Sequence, residues 1–133
     1  MGTRSTIALE YADGTVGQVY CHWDGYLENN GMILYKHYSD PFKVRDLLDE
    51  GDMSSLDSSV EGCTFYKERG EVCPQKMFKD FADYKANHQY EEYEYILRRD
   101  GQWYVAGHSS IYGSLADALA EQLRENAEEE ALL

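Results

Sequence analysis

The sequence predicts an α+β domain in which an antiparallel sheet, built from two β-hairpins, carries three to four helices on one face. Two observations lead there. Asp13-Gly14 and Asp100-Gly101 each separate two β-rich runs, and the chain between them shows helical spacing with recognisable caps. A length of 133 residues fits a single domain over residues 1–133.

The first hairpin is "RSTIALEYADGTVGQVYCHW". Ser5, Ile7, Leu9 and Tyr11 alternate with Thr6, Ala8 and Glu10, and a type I′ turn at Asp13-Gly14 would place both central residues at positive φ. "NNGMILYKHY" follows as a short helix capped by Asn29 or Asn30. In "SDPFKVRDLLDEG" the signals are stronger: Asp40 at the N-cap, Pro41 at the first helical position, Val44, Leu47 and Leu48 in a stripe, and Gly51 just past the end. Residues 52–75 lack sustained periodicity and read as a loop or insertion, with "CTFY" as a short extended piece. "KMFKDFADYKANH" returns to helical spacing through Phe78, Phe81, Ala82 and Lys85. The second hairpin pairs Tyr90–Arg98 with Gln102–Ala106. Its Tyr93, Tyr95 and Leu97 face one side, and Glu92, Glu94 and Ile96 the other; one side is expected buried and the other wet. An acidic helix over residues 114–130 closes the chain, started by Ser114 with Asp117 three residues on.

Charge is the strongest compositional signal: 25 acidic against 12 basic residues give a formal net charge of −13. Phosphate binding needs a basic stripe, and only Arg98 and Arg99 adjoin, so direct binding of nucleic acid is not expected. A negative surface instead favours basic partners. No run approaches the ~20 apolar residues of a membrane span, and the N-terminal residues lack the apolar stretch of a secretory signal. "MGTRST" matches the loose myristoylation pattern, but Thr6 opens a patterned strand and the match is set aside. A cytoplasmic location follows as the expectation, with Cys21, Cys63 and Cys73 as thiols.

The densest chemistry lies in "YCHWDGY", residues 20–26. Neighbouring side chains on a strand point to opposite faces, so Cys21 and His22 cannot serve each other as nucleophile and base. His22 and Asp24 could share a face, but no Ser or Cys close in sequence completes a triad. Cys21, Cys63 and Cys73 stand singly, and His22, His37, His88 and His108 show no ligand spacing, so neither a metal nor a cofactor is expected. Cys21 reads as a small buried hydrophobe. Tyr20, Trp23 and Tyr26 read as packing or groove-lining aromatics, with a turn at Gly25.

The run from "TRSTIALEYADGTVGQVYCHWDGY" through "NNGMILYKHY" and "SDPFKVRDLLDEG", followed by "GCTFY" and "FKDFADYKANHQYEEYEYIL", resembles a family of small bacteriophage proteins. The similarity reaches to about Val105, and "YCHWDGY" with the following "NG…L…HY" carries it. The resemblance implies an accessory protein acting in the host bacterial cytoplasm, where small acidic proteins blunt host defence. It brings no catalytic residue with it.

The resulting expectation is a non-enzymatic inhibitor of a basic, nucleic-acid-binding host defence protein of CRISPR-Cas or restriction type. A mimic must space carboxylates like phosphates, roughly 6 to 7 Å apart. Glu121, Glu125 and Glu128 would stand about 5 to 6 Å apart along a helix axis, and Glu92 and Glu94 about 6.6 Å apart along a strand. Exposed Tyr90 would add an anchor. The alternative is a small-molecule or nucleotide-binding protein, or a hydrolase, with a pocket at Tyr20, His22, Trp23, Asp24 and Tyr26.

Overall fold

The computed structural model describes residues 3–107 and 112–131. The fold is α+β. The strands are β1 (Ser5–Glu10), β2 (Val16–Cys21), β3 (Met53–Ser55), β4 (Thr64–Phe65), β5 (Lys76–Phe78), β6 (Tyr93–Leu97), β7 (Trp103–Ala106) and β8 (Gly113–Ser114). The helices are α1 (Met32–His37), α2 (Pro41–Asp49), α3 (Phe81–Asn87) and α4 (Leu115–Ala131).

Both expected hairpins form, but the sheet is mixed and has eight strands in the order β4-β3-β2-β1-β6-β7-β8, with β5 also paired to β2. At its centre β1 and β6 run parallel, Ser5 opposite Tyr93 and Leu9 opposite Leu97. Neither turn is type I′, because only Gly14 and Gly101 take positive φ, at 91° and 80°, while Asp13 and Asp100 do not. Gly14 N–H donates to the Tyr11 carbonyl and Gly101 N–H to that of Arg98, closing a turn one residue longer with glycine in the left-handed place.

Local rules place α2 where the caps put it. Asp40 accepts from Phe42 N–H at 2.9 Å, Pro41 opens the helix, and Val44, Leu47 and Leu48 are buried. α4 likewise begins after Ser114, whose Oγ accepts from Asp117 N–H at 3.3 Å. Three segments differ from the sequence reading. Asn29 and Asn30 cap nothing: they lie in a π-helical turn, Leu27–Gly31, where buried Asn30 donates to Ser5 Oγ and Cys21 Sγ. Lys76–Phe78 is strand rather than helix, since β2 offers an open edge and α3 starts only at its Asp80 cap. Residues 52–75 contain β3, β4 and a 3₁₀ turn, Tyr66–Arg69, rather than loop alone.

Helices cover both faces of the sheet, not one. On the first face Ile7, Leu9, Val19, Cys21, Tyr95, Leu97 and Trp103 pack against Leu34, Val44, Leu47, Leu48, Leu115 and Leu119 of α1, α2 and α4. On the second, Ala8, Val16 and Ile96 meet Tyr84 of α3, with Phe78, Phe81 and Tyr112 around them. The Glu94 face, one side of the second hairpin, is thus covered rather than wet, and with it Thr6, Glu10 and Gln18 of β1 and β2 are buried. These polar groups need partners. Gln18 exchanges two hydrogen bonds with the Gln89 backbone. Thr6 Oγ1 finds no partner among the described residues.

Glu10 is answered by the second hairpin: Arg98 Nε donates to it at 3.1 Å, as does the Arg99 N–H. Burial pushes this carboxyl up, but the two arginines outweigh burial and hold it below the usual carboxylate range. A depressed carboxyl stabilises the fold above its unfolded-state pKa, and that contribution is lost as pH falls through the folded value. Glu10→Gln should therefore lower the melting temperature at neutral pH and flatten its fall below about pH 4.5, the range of an unperturbed glutamate. Melting curves between acid and neutral pH read both effects.

Candidate functional site

Two acidic surfaces stand out. Along α4 only Leu115 and Leu119 are buried, so everything beyond Leu119 lies at least partly in solvent. Glu121, Glu125 and Glu128 are exposed there, joined by Glu129 and Glu130. Arg124 pairs with Glu121; the ion pairs among the described residues leave Glu125 and Glu128 without a cation. The stripe that holds α4 to the body continues outward as Leu123, 54% exposed, and exposed Ala127. Eight of the twelve residues from Ala120 to Ala131 are polar, and no basic residue occupies the last turn. Negative charge near a helix C-terminus opposes the macrodipole by about 0.3–1 kcal/mol per group, so intrinsic helix stability does not explain it.

The second surface went unread in the sequence. A cleft of about 620 Å³ lies between α2 and residues 59–61, lined by Asp46, Asp49, Glu50, Glu61 and Lys43. Lys43 Nζ donates to the carbonyls of His37 and Ser58, and Glu50 pairs with Lys67. The available signal was Asp46, Asp49 and Glu50 at i, i+3 and i+4, the solvated face opposite Leu47 and Leu48.

The strand carboxylates divide. Glu92 is exposed, its Oε1 3.5 Å from Arg4 N–H. Glu94 is not available to a partner: its side chain is 1% exposed, beneath the end of α3. Its Oε1 meets His88 Nε2 and accepts from Tyr112 OH at 2.9 Å. The expected Glu92–Glu94 ladder is thus corrected to Glu92 alone. Tyr90 is 56% exposed, but its ring lies 4.3 Å from the His88 ring and its hydroxyl donates to the Lys85 carbonyl.

In residues 20–26 only Cys21 and Gly25 are buried; Tyr20 and His22 are half-buried, and Trp23, Asp24 and Tyr26 are exposed, so the aromatics expected to pack there do so only in part. β2 ends at Cys21, and Asp24 enters a left-handed turn at φ 56°, so no Asp24–His22 pair forms. His22 Nδ1 instead lies 2.7 Å from Tyr20 OH, and its ring meets the Trp23 indole edge-on at 4.6 Å. Burial pushes the Cys21 thiol up to about 11, which removes it as a nucleophile at neutral pH. Gly25 is required by crowding rather than by φ: a Cβ there would sit 2.6 Å from Ser5 Cβ. Trp23 and Tyr26 remain exposed on this turn, at 45% and 38%.

No three His, Cys, Asp or Glu side chains among the described residues gather as metal ligands; His108 lies outside those residues. Among the described residues no helix is long and apolar enough to cross a membrane. No family model, curated protein or solved structure matches the chain.

Proposed function

We propose that this chain is a phage accessory protein that binds a basic, nucleic-acid-binding host defence protein, of CRISPR-Cas or restriction type, and inhibits it by competition. The observation that carries the reading is the solvated half of α4. There Glu121, Glu125 and Glu128 step about 6 and then about 4.5 Å along the axis at ~1.5 Å per residue, the first step near the spacing of phosphates and the second short of it, and Glu125 and Glu128 have no cation among the described residues. Lys and Arg that otherwise hold phosphates would engage this row. The phage setting rests on the sequence resemblance.

The test is interference with immunity. Expressed in a bacterium carrying such a defence system, the protein should restore plating of a targeted phage. The double reversal Glu125→Lys/Glu128→Lys should abolish that rescue and weaken the captured partner at least tenfold, about 1.4 kcal/mol. Removing acidic charge from the C-terminal half of α4 should meanwhile leave the melting temperature unchanged or slightly raised. Affinity for the partner should fall between 50 and 300 mM salt. Rescue by the reversed variant would refute the α4 reading.

A further inference from the structure

The pair His88–Glu94 obeys a constraint that hydrogen-bond geometry imposes by itself. His88 Nδ1 lies 2.6 Å from the Tyr84 carbonyl oxygen, which can only accept, so Nδ1 must carry a hydrogen. Its Nε2 faces Glu94 Oε1. A neutral imidazole with hydrogen on Nδ1 presents a lone pair from Nε2, and an ionised carboxylate presents another. Two acceptors would then meet in a site where the side chains are 2% and 1% exposed. Tyr112 cannot relieve both, since its single hydroxyl hydrogen has Glu94 Oε1 at 2.9 Å, Tyr84 OH at 3.0 Å and His88 Nε2 at 3.5 Å to choose among.

We propose that His88 and Glu94 jointly hold one proton that the fold requires, forming a buried pH-sensitive lock between α3, β6 and the residue that leads into β8 and α4. The proton sits between Nε2 and Oε1 whichever atom formally owns it. Among the described residues, the other ionisable groups packed on the imidazole are the phenols of Tyr84, Tyr90 and Tyr112. Burial pushes Tyr84 and Tyr112 up, so both stay neutral well into alkali. In the unfolded chain above about pH 7 histidine is mostly neutral and glutamate ionised, so the folded pair binds one more proton than the unfolded. Stability falls with rising pH wherever the folded state binds more protons. The lock therefore weakens on the alkaline side, loosening Tyr112 and with it the root of α4.

The experiment is the pH dependence of unfolding in the full chain and in Glu94→Gln. The amide can donate to the Nε2 lone pair without an added proton, while Tyr112 turns its hydrogen to Tyr84. In the parent chain the unfolding equilibrium constant should rise by up to tenfold per pH unit between about pH 7 and 8, below the range in which the buried thiols and phenols begin to titrate in the unfolded chain. In Glu94→Gln the slope over that interval should vanish. Imidazole nitrogen NMR of the parent supplies a second reading that does not depend on the variant folding: His88 Nδ1 should remain the protonated nitrogen at every pH where the protein is folded. An alkaline slope unchanged in Glu94→Gln, or an Nδ1 without hydrogen, would overturn the proposal.

Discussion

His88→Ala should cost about 3–5 kcal/mol, the range seen when one partner of a buried ionic pair is removed. The substitution leaves the Glu94 carboxyl at 1% exposure with Tyr112 as its sole described partner, and it removes an imidazole ring stacked at 4.6 Å on Tyr84 and tilted at 4.3 Å against Tyr90. Against a typical total of 5–15 kcal/mol, much of the fold's margin would go. Chemical denaturation at neutral pH measures it. The isolated charge, rather than the lost volume, is expected to dominate, and a double variant tells the two apart. His88→Leu/Glu94→Met removes both members together and should recover most of the loss, because apolar residues of similar size often replace a buried pair at little cost. If the double variant is as unstable as the single, the loss is one of packing.

Gly51→Ala should cost about 2–5 kcal/mol. Gly51 closes α2 at φ 87°, donating its N–H to the Leu48 carbonyl. An L side chain in that region costs roughly 1–2 kcal/mol. A Cβ would also run into the backbone carbonyl oxygen of Cys73, the atom that accepts from Asp52 N–H at 2.8 Å. Backbone cannot swing aside as a side chain can, and overpacking of this kind adds about 1–3 kcal/mol. Gly70 supplies the control, with φ 83° and open space around the added atom. Gly70→Ala should lose only the conformational part, so the difference between the two melting shifts isolates the contact with Cys73.

What the sequence made legible was whatever neighbouring residues decide among themselves. Asp40, Pro41 and Gly51 bracket α2 because caps act within one turn, and each Asp-Gly pair marks a hairpin because the glycine alone supplies the left-handed residue. The parallel β1–β6 pairing leaves no such trace, since register between remote strands is not written in either strand's alternation. Glu94 reads as part of a wet face because it alternates with Tyr93 and Tyr95; α3 and the residues after it cover that face and supply partners to Gln18 and Glu94, though not to Thr6. The same blindness affected the candidate surface. Glu121, Glu125 and Glu128 lie on a helix whose periodicity is local, and they are exposed as read. Glu94 obeys the same alternation as Glu92, yet His88, six residues upstream, draws it inside.

The central pairing also bears on how the chain reaches its fold. Ser5 and Tyr93 lie 88 positions apart, as do Glu10 and the Arg98 that clamps it. Closing so large a loop carries an entropy penalty before any contact rewards it, which slows folding. On the ribosome the first hairpin emerges early and then waits, one edge of β1 unsatisfied, until Tyr93–Leu97 has been synthesised. A bare strand edge invites pairing with other chains. The nascent protein is therefore at its most aggregation-prone midway through translation, and holding factors that shield such edges should raise its soluble yield more than any stabilisation of the finished fold.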